Sequence, residues 1–275
     1  MAPLLTLLTD FGLSDYYVAA VKGTVLRLAP GTQLVDLSHQ VEPGDIAGGA
    51  FLLAAAAPVF PAGTVHLAVV DPGVGSRRRI LAAETASGSS LVAPDNGLLT
   101  PLLSGARVRA VERGDLYLES PGATFDGRDL FAPIAAFLLR GGAPAELGPE
   151  IDDPVKLDLK PPRQEPGLLT GTVLHIDRFG NLVTDIPASW LPAASTAPGQ
   201  ASGQAGGAST APGQVAARVG SHTTSRLAGH YEEIPRYEAA LMVGSLGTLE
   251  LAMRGENLAR RWGVVPGAAV LVRWR

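Results

Sequence analysis

Two aspartates follow apolar runs of the sequence and are the first candidates for chemistry. Asp10 comes shortly after the run Leu4–Leu8, and Asp71 comes directly after Val65–Val70. Such runs are typical of buried strands, and open α/β sheets bind ligands beyond the carboxyl ends of their strands. We therefore expect Asp10 and Asp71 to face one crevice, although an aspartate in this position is also a common turn former or helix cap.

Three consecutive arginines, Arg77, Arg78 and Arg79, follow Asp71 through a glycine-containing turn. The glycine spacing fits neither a dinucleotide fingerprint nor a P-loop. A turn followed by solvated arginines would explain the pattern. Alternatively, guanidinium groups fold back over the carboxylate and form a polarised pocket for a water or an anion.

Several other chemistries are excluded or lack support. The chain has no cysteine, which excludes thiolate nucleophiles, zinc–thiolate sites and iron–sulfur clusters. Its five histidines lack metal-ligand spacing, so we expect no metal, and His66 lies in an apolar run as a satisfied core residue. No Gly-x-Ser-x-Gly elbow supports a serine hydrolase. With Lys+Arg 22 against Asp+Glu 26, the charge balance gives no sign of nucleic-acid or membrane attraction.

Strands and helices alternate over residues 1–160. Helices are predicted over Asp15–Leu28, capped by Ser14, from a cap at Asp45 through Ala57, and over Gly127–Arg140. The predicted strands are Leu4–Leu8, Gln33–Leu37, Val65–Val70, Ile80–Glu84, Leu91–Ala93 and Val108–Val111. This alternation predicts an amino-terminal, mostly parallel α/β sandwich domain.

After a stiff, polar connector at Pro161–Pro166, the pattern changes to short strand-like runs. These runs are Leu168–Ile176, Leu182–Ile186, Tyr237–Val243, Thr248–Ala252 and Ala268–Trp274. They predict a smaller carboxy-terminal all-β barrel domain over residues 167–275. Residues 191–214 are nearly all Ala, Ser, Gly, Pro, Thr and Gln, which predicts a mobile, low-complexity surface insertion.

The apolar segments do not resemble targeting or membrane segments. Met1–Leu8 has no basic region, and the longest apolar stretch, Ile46–Val70, is divided by Pro58, Pro61 and Gly63. Neither half reaches the roughly 20 residues of a membrane span. We therefore expect a cytoplasmic protein without a membrane partner.

Five loop motifs complete the candidate set and occur along both predicted domains. They are Thr9-Asp10-Phe11-Gly12, Asp71-Pro72-Gly73-Val74-Gly75, Pro94-Asp95-Asn96-Gly97, Thr124-Phe125-Asp126-Gly127-Arg128-Asp129 and Phe179-Gly180-Asn181. With these motifs in this order, the chain resembles the S-adenosyl-L-methionine hydroxide adenosyltransferase family, relatives of fluorinase and chlorinase. The resemblance covers Leu4 to Ala259 apart from the low-complexity insertion.

The resemblance implies an α/β domain followed by a β-barrel, and a homotrimer whose active sites combine one subunit's first domain with its neighbour's second. The implied reaction converts S-adenosyl-L-methionine, the substrate, and water into adenosine and L-methionine, without a cofactor. By motif, Asp10 would hydrogen-bond the ribose hydroxyls, Asn181 would hydrogen-bond the adenine, and Tyr231 would stack on or edge the base. Ser245 and Glu250 would line the methionine or adenine end of the pocket.

The resemblance also assigns the catalytic residues, with one departure. An Asp, an Arg and a His hold the attacking water in the family, and Asp71 and Arg78 match the first two. At the third position this chain has Asp126 where the family usually has His. Two neighbouring carboxylates raise at least one pKa unless Arg78 or Arg128 neutralises them. We hypothesise that Asp126 replaces the histidine as base or orienting group.

Two alternatives to hydrolysis stay open at this stage. A halogenase of the same family would hold a buried anion beside Asp71, which that carboxylate would repel. A catalytically weak adenosine- or S-adenosyl-L-methionine-binding protein is the other alternative, because loss of the histidine could spare binding while removing the chemistry.

Overall fold

The computed structural model describes residues 2–122, 124–192 and 215–274, so most of the predicted insertion at 191–214 lies outside the described residues. The chain forms two compact units, Met1–Asp158 and Leu159–Arg275. The boundary falls close to the proline-containing connector of the sequence. Each unit is described by itself below.

The first unit is built on a six-stranded sheet with the order β2-β1-β3-β5-β4-β6. The strands are β1 (Leu4–Thr9), β2 (Gln33–Ser38), β3 (Val65–Val69), β4 (Ile80–Glu84), β5 (Ser90–Pro94) and β6 (Arg107–Ala110). Strands β2, β1, β3 and β5 run parallel, whereas β4 is antiparallel to β5 and β6. The mostly parallel α/β sheet predicted from the sequence is therefore confirmed.

Helices cover both faces of this sheet, as the alternation of strands and helices requires. The helices are α1 (Tyr17–Leu28), α2 (Ile46–Ala56) and α3 (Ala132–Leu139). Leu5 and Leu7 of β1 join the apolar cluster under α1 and α3, while Leu8 joins the cluster under α2. Because successive side chains of a strand point to opposite faces, β1 anchors both layers of the core.

The two predicted caps have different outcomes. Asp45 caps α2 as predicted, because its carboxylate accepts a hydrogen bond from the Gly48 amide at 2.9 Å. The predicted cap at Ser14 is wrong, since α1 begins at Tyr17 and its N-cap, Tyr16, makes no side-chain capping bond. Tyr16 and Tyr17 pack edge-on against the ring of Phe125, so tertiary packing rather than a capping hydroxyl fixes this helix start.

The predicted helix over Gly127–Arg140 is present, but its first part is wound differently. Residues Gly127–Phe131 form a π-helical turn, and the α-helical α3 follows. Short π-helical turns are frequent at functional sites. This turn begins directly after Asp126.

The second unit is an antiparallel, nearly closed barrel of eight strands among the described residues. The strands are β7 (Arg163–Glu165), β8 (Leu168–Ile176), β9 (Leu182–Pro187), β10 (Val215–Val219), β11 (His222–Thr224), β12 (Ala239–Val243), β13 (Thr248–Met253) and β14 (Ala269–Trp274). Their order is β11-β10-β14-β8-β9-β13-β12, with β7 paired to β8. The interior is apolar, with Leu169, Val173, Leu182 and Ile186 among its buried residues. The predicted β-barrel is therefore confirmed.

Some short elements of this unit differ from the sequence prediction. Residues 163–165 were predicted as a stiff connector, but they pair with β8 as β7, because an edge strand tolerates flanking prolines. Strands β10 and β11 and the short helix α4 (Leu258–Trp262) are not among the elements predicted from the sequence. No helix within the described part of the chain has the length and apolar character that crossing a bilayer requires.

The middle of the first sheet contains a buried histidine. The Nδ1 atom of His66 lies 2.7 Å from the hydroxyl of Thr6, and both residues are 1% exposed. The Nε2 atom has no hydrogen-bond partner among the described residues, so the expectation of a satisfied histidine holds for only one ring nitrogen. Burial lowers the pKa of His66 from 6.5 to about 4.

We predict that His66 makes the folded state sensitive to acid. The unfolded chain binds a proton near pH 6.5 and the folded chain only near pH 4, so stability is lost as the pH falls between these values. The free energy of unfolding should fall by about 3 kcal/mol over this pH range. Urea unfolding at a series of pH values measures it. His66→Gln should flatten the pH dependence, whereas His230→Gln, at an exposed position, should not, and equal slopes in all three proteins would contradict the prediction.

Candidate active site

The centre of the candidate site is a guanidinium group shared by two carboxylates. Arg78 donates from Nε to Asp71 Oδ2 at 2.6 Å and from Nη2 to Asp126 Oδ2 at 2.5 Å. The side chains of Arg78, Asp71 and Asp126 are 10%, 4% and 8% exposed. The structure therefore brings together Asp71 and Arg78, which the resemblance assigns to catalysis, and Asp126, which stands where the family usually has histidine.

The electrostatics of this cluster keep Arg78 charged. Burial alone would lower the pKa of its guanidinium, but the hydrogen bonds to Asp71 and Asp126 outweigh this effect, and the pKa is raised above its ordinary value. The guanidinium carbon also lies 5.5 Å from the ring centroid of buried Phe131, an additional cation–π contact. With both carboxylates ionised, the three side chains carry a formal charge of one negative unit.

Backbone amides of the glycine turn hold both carboxylates in place. Gly73 donates its amide to Asp71 Oδ1 at 3.1 Å, and Gly75 donates to Asp126 Oδ2 at 3.3 Å. Gly75 has a φ of +76°, a conformation that favours glycine. The glycines after Asp71 thus allow the chain to turn back toward its own carboxylate.

The two arginines next to Arg78 in the sequence, both of which the structure describes, do not pair with Asp71. Arg77 is exposed, while Arg79 pairs with Asp95 at 2.6 Å and with Asp153 at 2.8 Å. The expectation of guanidinium groups folding back over Asp71 therefore applies to Arg78 alone. Arg128 pairs with Asp129, at 2.6 and 2.8 Å, so Arg78 rather than Arg128 neutralises Asp126.

The Pro94-Asp95-Asn96-Gly97 motif supports the loop that runs from Asp71 to Arg78. Asp95 holds Arg79, the residue next to Arg78, and Asn96 donates to the carbonyl of Val70, the residue before Asp71, at 2.8 Å. The two side chains thus fasten both ends of the loop. Sequence reasoning identified the motif without assigning this role, which depends on contacts between distant segments.

Asp10 lies at the same edge of the sheet as Asp71. Thr9 of β1 is in register with Val69 of β3, so both aspartates follow the carboxyl ends of adjacent parallel strands. Asp10 Oδ2 accepts a hydrogen bond from the Gly44 amide at 2.9 Å. Its Oδ1 atom accepts none from the residues that the structure describes, which leaves this oxygen available for a ligand hydroxyl.

The site residues predicted in the second unit form a separate polar cluster. Tyr231 donates its hydroxyl to Glu250 Oε1 at 2.8 Å, and Asn181 donates its amide to Asp177 Oδ2 at 2.8 Å. Burial and the charge of Asp177 raise the pKa of Glu250, and burial together with the bond to Glu250 raises the pKa of Tyr231. Asp177 is not among the site residues predicted from the sequence, because no local signal reveals its role in orienting Asn181.

Ser245 lies in an exposed turn next to this cluster. A Cβ atom on the preceding residue, Gly244, would approach Glu250 Oε2 to 2.9 Å, so the turn passes close to the buried carboxylate. Ser245 itself makes no hydrogen bond that ties it to the cluster among the described residues. In the described ranges, no group of His, Asp and Glu side chains has the arrangement of a metal site.

We predict that Arg78 is required for stability at neutral pH. Arg78→Met leaves two buried carboxylates without their shared cation, which should cost about 3 kcal/mol of unfolding free energy. Chemical unfolding at pH 7 measures this loss of unfolding free energy. Arg77→Met, at the exposed neighbour, should change little, and an equal loss there would count against this prediction.

Comparison with known proteins places the two units in one family. Residues 5–148 match the SAM hydroxide adenosyltransferase N-terminal domain, and residues 171–271 match the SAM hydroxide adenosyltransferase C-terminal domain. A solved structure of an uncharacterized conserved protein from Thermotoga maritima superposes with a TM-score of 0.86 at 30% identity, over 98% of this chain and 99% of that one.

Curated relatives carry enzyme names. The chain is 46% identical to (R)-S-adenosyl-L-methionine hydrolase of Salinispora tropica over 66% of this chain and 70% of the relative. It is 35% identical to the enzyme of the same name from Salinispora arenicola over 96% and 95% of the two chains. A fluorinase of an Actinoplanes species is 30% identical over 67% and 72%. The chain therefore belongs to the SAM hydroxide adenosyltransferase family.

Proposed function

We propose that this protein hydrolyses S-adenosyl-L-methionine to adenosine and L-methionine by attack of water on C5′ of the ribose. The observation that carries the proposal is the buried Asp71–Arg78–Asp126 cluster at the carboxyl edge of the sheet. It supplies the charged and hydrogen-bonding groups that can hold and activate a water in a member of this family. The names of the relatives from both Salinispora species point to the same reaction.

The chemistry needs an aligned nucleophile more than a leaving-group acid. A bond forms between the water oxygen and C5′, the C5′–S bond breaks, and its electron pair returns to sulfur as the neutral thioether of methionine. The water loses one proton in the process. Because the departing thioether is neutral, we propose that no cofactor is required and that the protein acts by positioning and by excluding bulk water.

We assign separate roles to the three side chains. Arg78 stabilises the negative charge that develops on the attacking oxygen. Asp71, held by the Gly73 amide, orients the water, and Asp126 orients it or accepts its proton. Asp126 Oδ2 already accepts from both Arg78 and Gly75, so the incoming water would use the remaining oxygen, Oδ1.

The remaining site residues would bind the substrate. Asp10 would accept hydrogen bonds from the ribose hydroxyls through Oδ1. In the second unit, Asn181 would bind the adenine, Tyr231 would contact its ring or edge, and Ser245 and Glu250 would line the methionine or adenine end. The Tyr231–Glu250 hydrogen bond supports this assignment because it fixes the aromatic ring before any ligand binds.

We also propose a homotrimer in which one subunit's first domain and its neighbour's second domain form each active site. The proposal rests on the family resemblance, and sedimentation equilibrium tests it by the solution mass. A monomeric mass at assay concentration would contradict the shared site. The cytoplasmic location expected from the sequence stays a prediction.

Two observations bear on the competing functions. The cluster has more carboxylate than guanidinium charge, which repels a halide and disfavours halogenation. One feature favours the alternative of a protein that binds the ligand with little catalysis. Arg78 already donates to two carboxylates, so it must share its donors with the attacking water.

We predict that the purified protein converts S-adenosyl-L-methionine to adenosine and L-methionine. Chromatography of the nucleoside after incubation, with and without fluoride or chloride, measures the outcome. The Arg77→Met protein should behave as the wild type, and Arg78→Met should lose nearly all turnover. A 5′-halo nucleoside would establish the halogenase alternative, and unchanged S-adenosyl-L-methionine bound to the protein would establish the binding-protein alternative.

We predict that Asp126→Asn lowers kcat by about 100-fold, the size expected when a positioned general base is lost. Initial rates between pH 5 and pH 9 measure the change in kcat and any change in the pH profile. Asp115→Asn, an exposed carboxylate on the same unit, serves as the control. If Asp126→Asn matched the wild type in rate and pH profile, Asp126 would have no role in activating the water.

A further inference from the structure

Strand β1 carries two buried threonines, and each contacts the ring of a buried histidine. Thr6 Oγ1 lies 2.7 Å from His66 Nδ1, and Thr9 Oγ1 lies 2.8 Å from His39 Nδ1. The pairs have nearly the same geometry, and all four residues are at most 4% exposed. The first pair lies within the sheet, whereas the second lies at the strand end that leads into Asp10.

The second pair is connected to the turn that carries Asp10. Thr9 Oγ1 accepts a hydrogen bond from the Phe11 amide at 3.3 Å, and the His39 carbonyl accepts one from the Gly12 amide at 2.8 Å. Asp10 is therefore followed directly by two residues, Phe11 and Gly12, whose backbone amides are both held by the Thr9–His39 pair. The Thr6–His66 pair makes no such connection, because its neighbours belong to the regular sheet ladder.

The surroundings of His39 determine the direction of its contact with Thr9. His39 Nε2 lies 3.0 Å from Asp36 Oδ1, so this ring nitrogen faces a carboxylate oxygen. A lone pair on Nε2 would face this carboxylate unfavourably, so Nε2 carries the proton. In the neutral ring, Nδ1 is then the acceptor and the Thr9 hydroxyl is the donor.

Asp36 is itself kept ionised. Burial raises the pKa of Asp36, but hydrogen bonds and charge interactions with Lys22 and His39 outweigh burial, and the pKa is lowered. Lys22 Nζ lies 2.6 Å from Asp36 Oδ2. A continuous chain of contacts thus runs from Lys22 through Asp36 and His39 to Thr9.

We propose that Thr9 and His39 are positioning residues that fix the Asp10 carboxylate for hydrogen bonding to the ribose hydroxyls of the substrate. The inference rests on the proposed function, because it gives Asp10 the nucleoside-binding role. The Gly44 amide also donates a hydrogen bond to one oxygen of Asp10, at 2.9 Å. The pair and Gly44 together leave the carboxylate little freedom to turn away from the ligand.

The test compares the two threonines, because they are matched in strand, burial and histidine partner. Thr9→Val should raise KM for S-adenosyl-L-methionine about tenfold, the equivalent of one lost buried hydrogen bond, with kcat changed less than twofold. The Kd for adenosine, measured by calorimetry, should weaken by a similar factor. Thr9→Ser restores the hydroxyl and should return both constants to near wild type.

Thr6→Val is the control for a merely structural role. It removes the same type of contact and should lower the melting temperature, while KM and the adenosine Kd stay at the wild-type values. If Thr9→Val does not fold, Asp36→Asn provides a second test at a half-exposed position, since loss of its charge should weaken adenosine binding in the same direction.

The outcomes separate this inference from the proposed function. A wild-type protein that hydrolyses S-adenosyl-L-methionine, together with equal KM and Kd in Thr9→Val and Thr6→Val, would overturn the positioning role alone. A wild-type protein that binds adenosine without hydrolysis would overturn the proposed function, and the adenosine Kd of the variants would still decide the role of Thr9 and His39. A wild-type protein that does neither would overturn both.

Discussion

The sharing of one guanidinium by two carboxylates is the interaction on which the first unit depends. Two carboxylates cannot be buried within reach of each other unless a cation lies between them, because desolvation and mutual repulsion both oppose their ionisation. Arg78 meets this requirement because its Nε donates to Asp71 while its Nη2 lies against both Asp71 and Asp126. A lysine would present one point charge instead of a planar fork, so the geometry explains the use of arginine.

This constraint also explains features of the backbone that otherwise look unrelated. Arg78 lies seven residues after Asp71, so the chain must turn back within that interval. The glycines of the turn allow the reversal, and their amides supply additional donors to the same carboxylates. Asp126 reaches the cluster from a distant segment, at the start of a π-helical turn. The Asp71–Arg78–Asp126 cluster is thus assembled from the loop that follows β3 and the start of the helical segment that leads into α3.

The sequence predicted the parts of the structure that depend on local pattern. Apolar runs ending in Asp10 and Asp71 identified β1 and β3, and parallel pairing places both ends at one edge. The cap at Asp45 was also local and was predicted, whereas the start of α1 depends on packing against Phe125, which no local rule contains. In the site, the order of the motifs along the chain identified Asp71 and Asp126, which contact Arg78. The supporting contact from Asn96 to the carbonyl of Val70 joins residues 26 positions apart and could not be seen in the sequence.

The presence of Asp126 at a position where the family usually has histidine alters the charge that the substrate meets. Beside Asp71 and Arg78, a neutral histidine would leave the cluster without net charge, while Asp126 leaves it one unit negative. Under the proposed reaction, this charge attracts the sulfonium of the substrate and interacts less with neutral adenosine. The same attraction stabilises the ground state, where the positive charge is largest, and so opposes the chemical step as the charge is lost. Arg78 acts in the opposite sense, because its interaction strengthens as negative charge develops on the attacking oxygen. Under the proposed reaction, the aspartate would therefore favour substrate capture and product release, and the arginine would have to supply the differential stabilisation on which turnover depends.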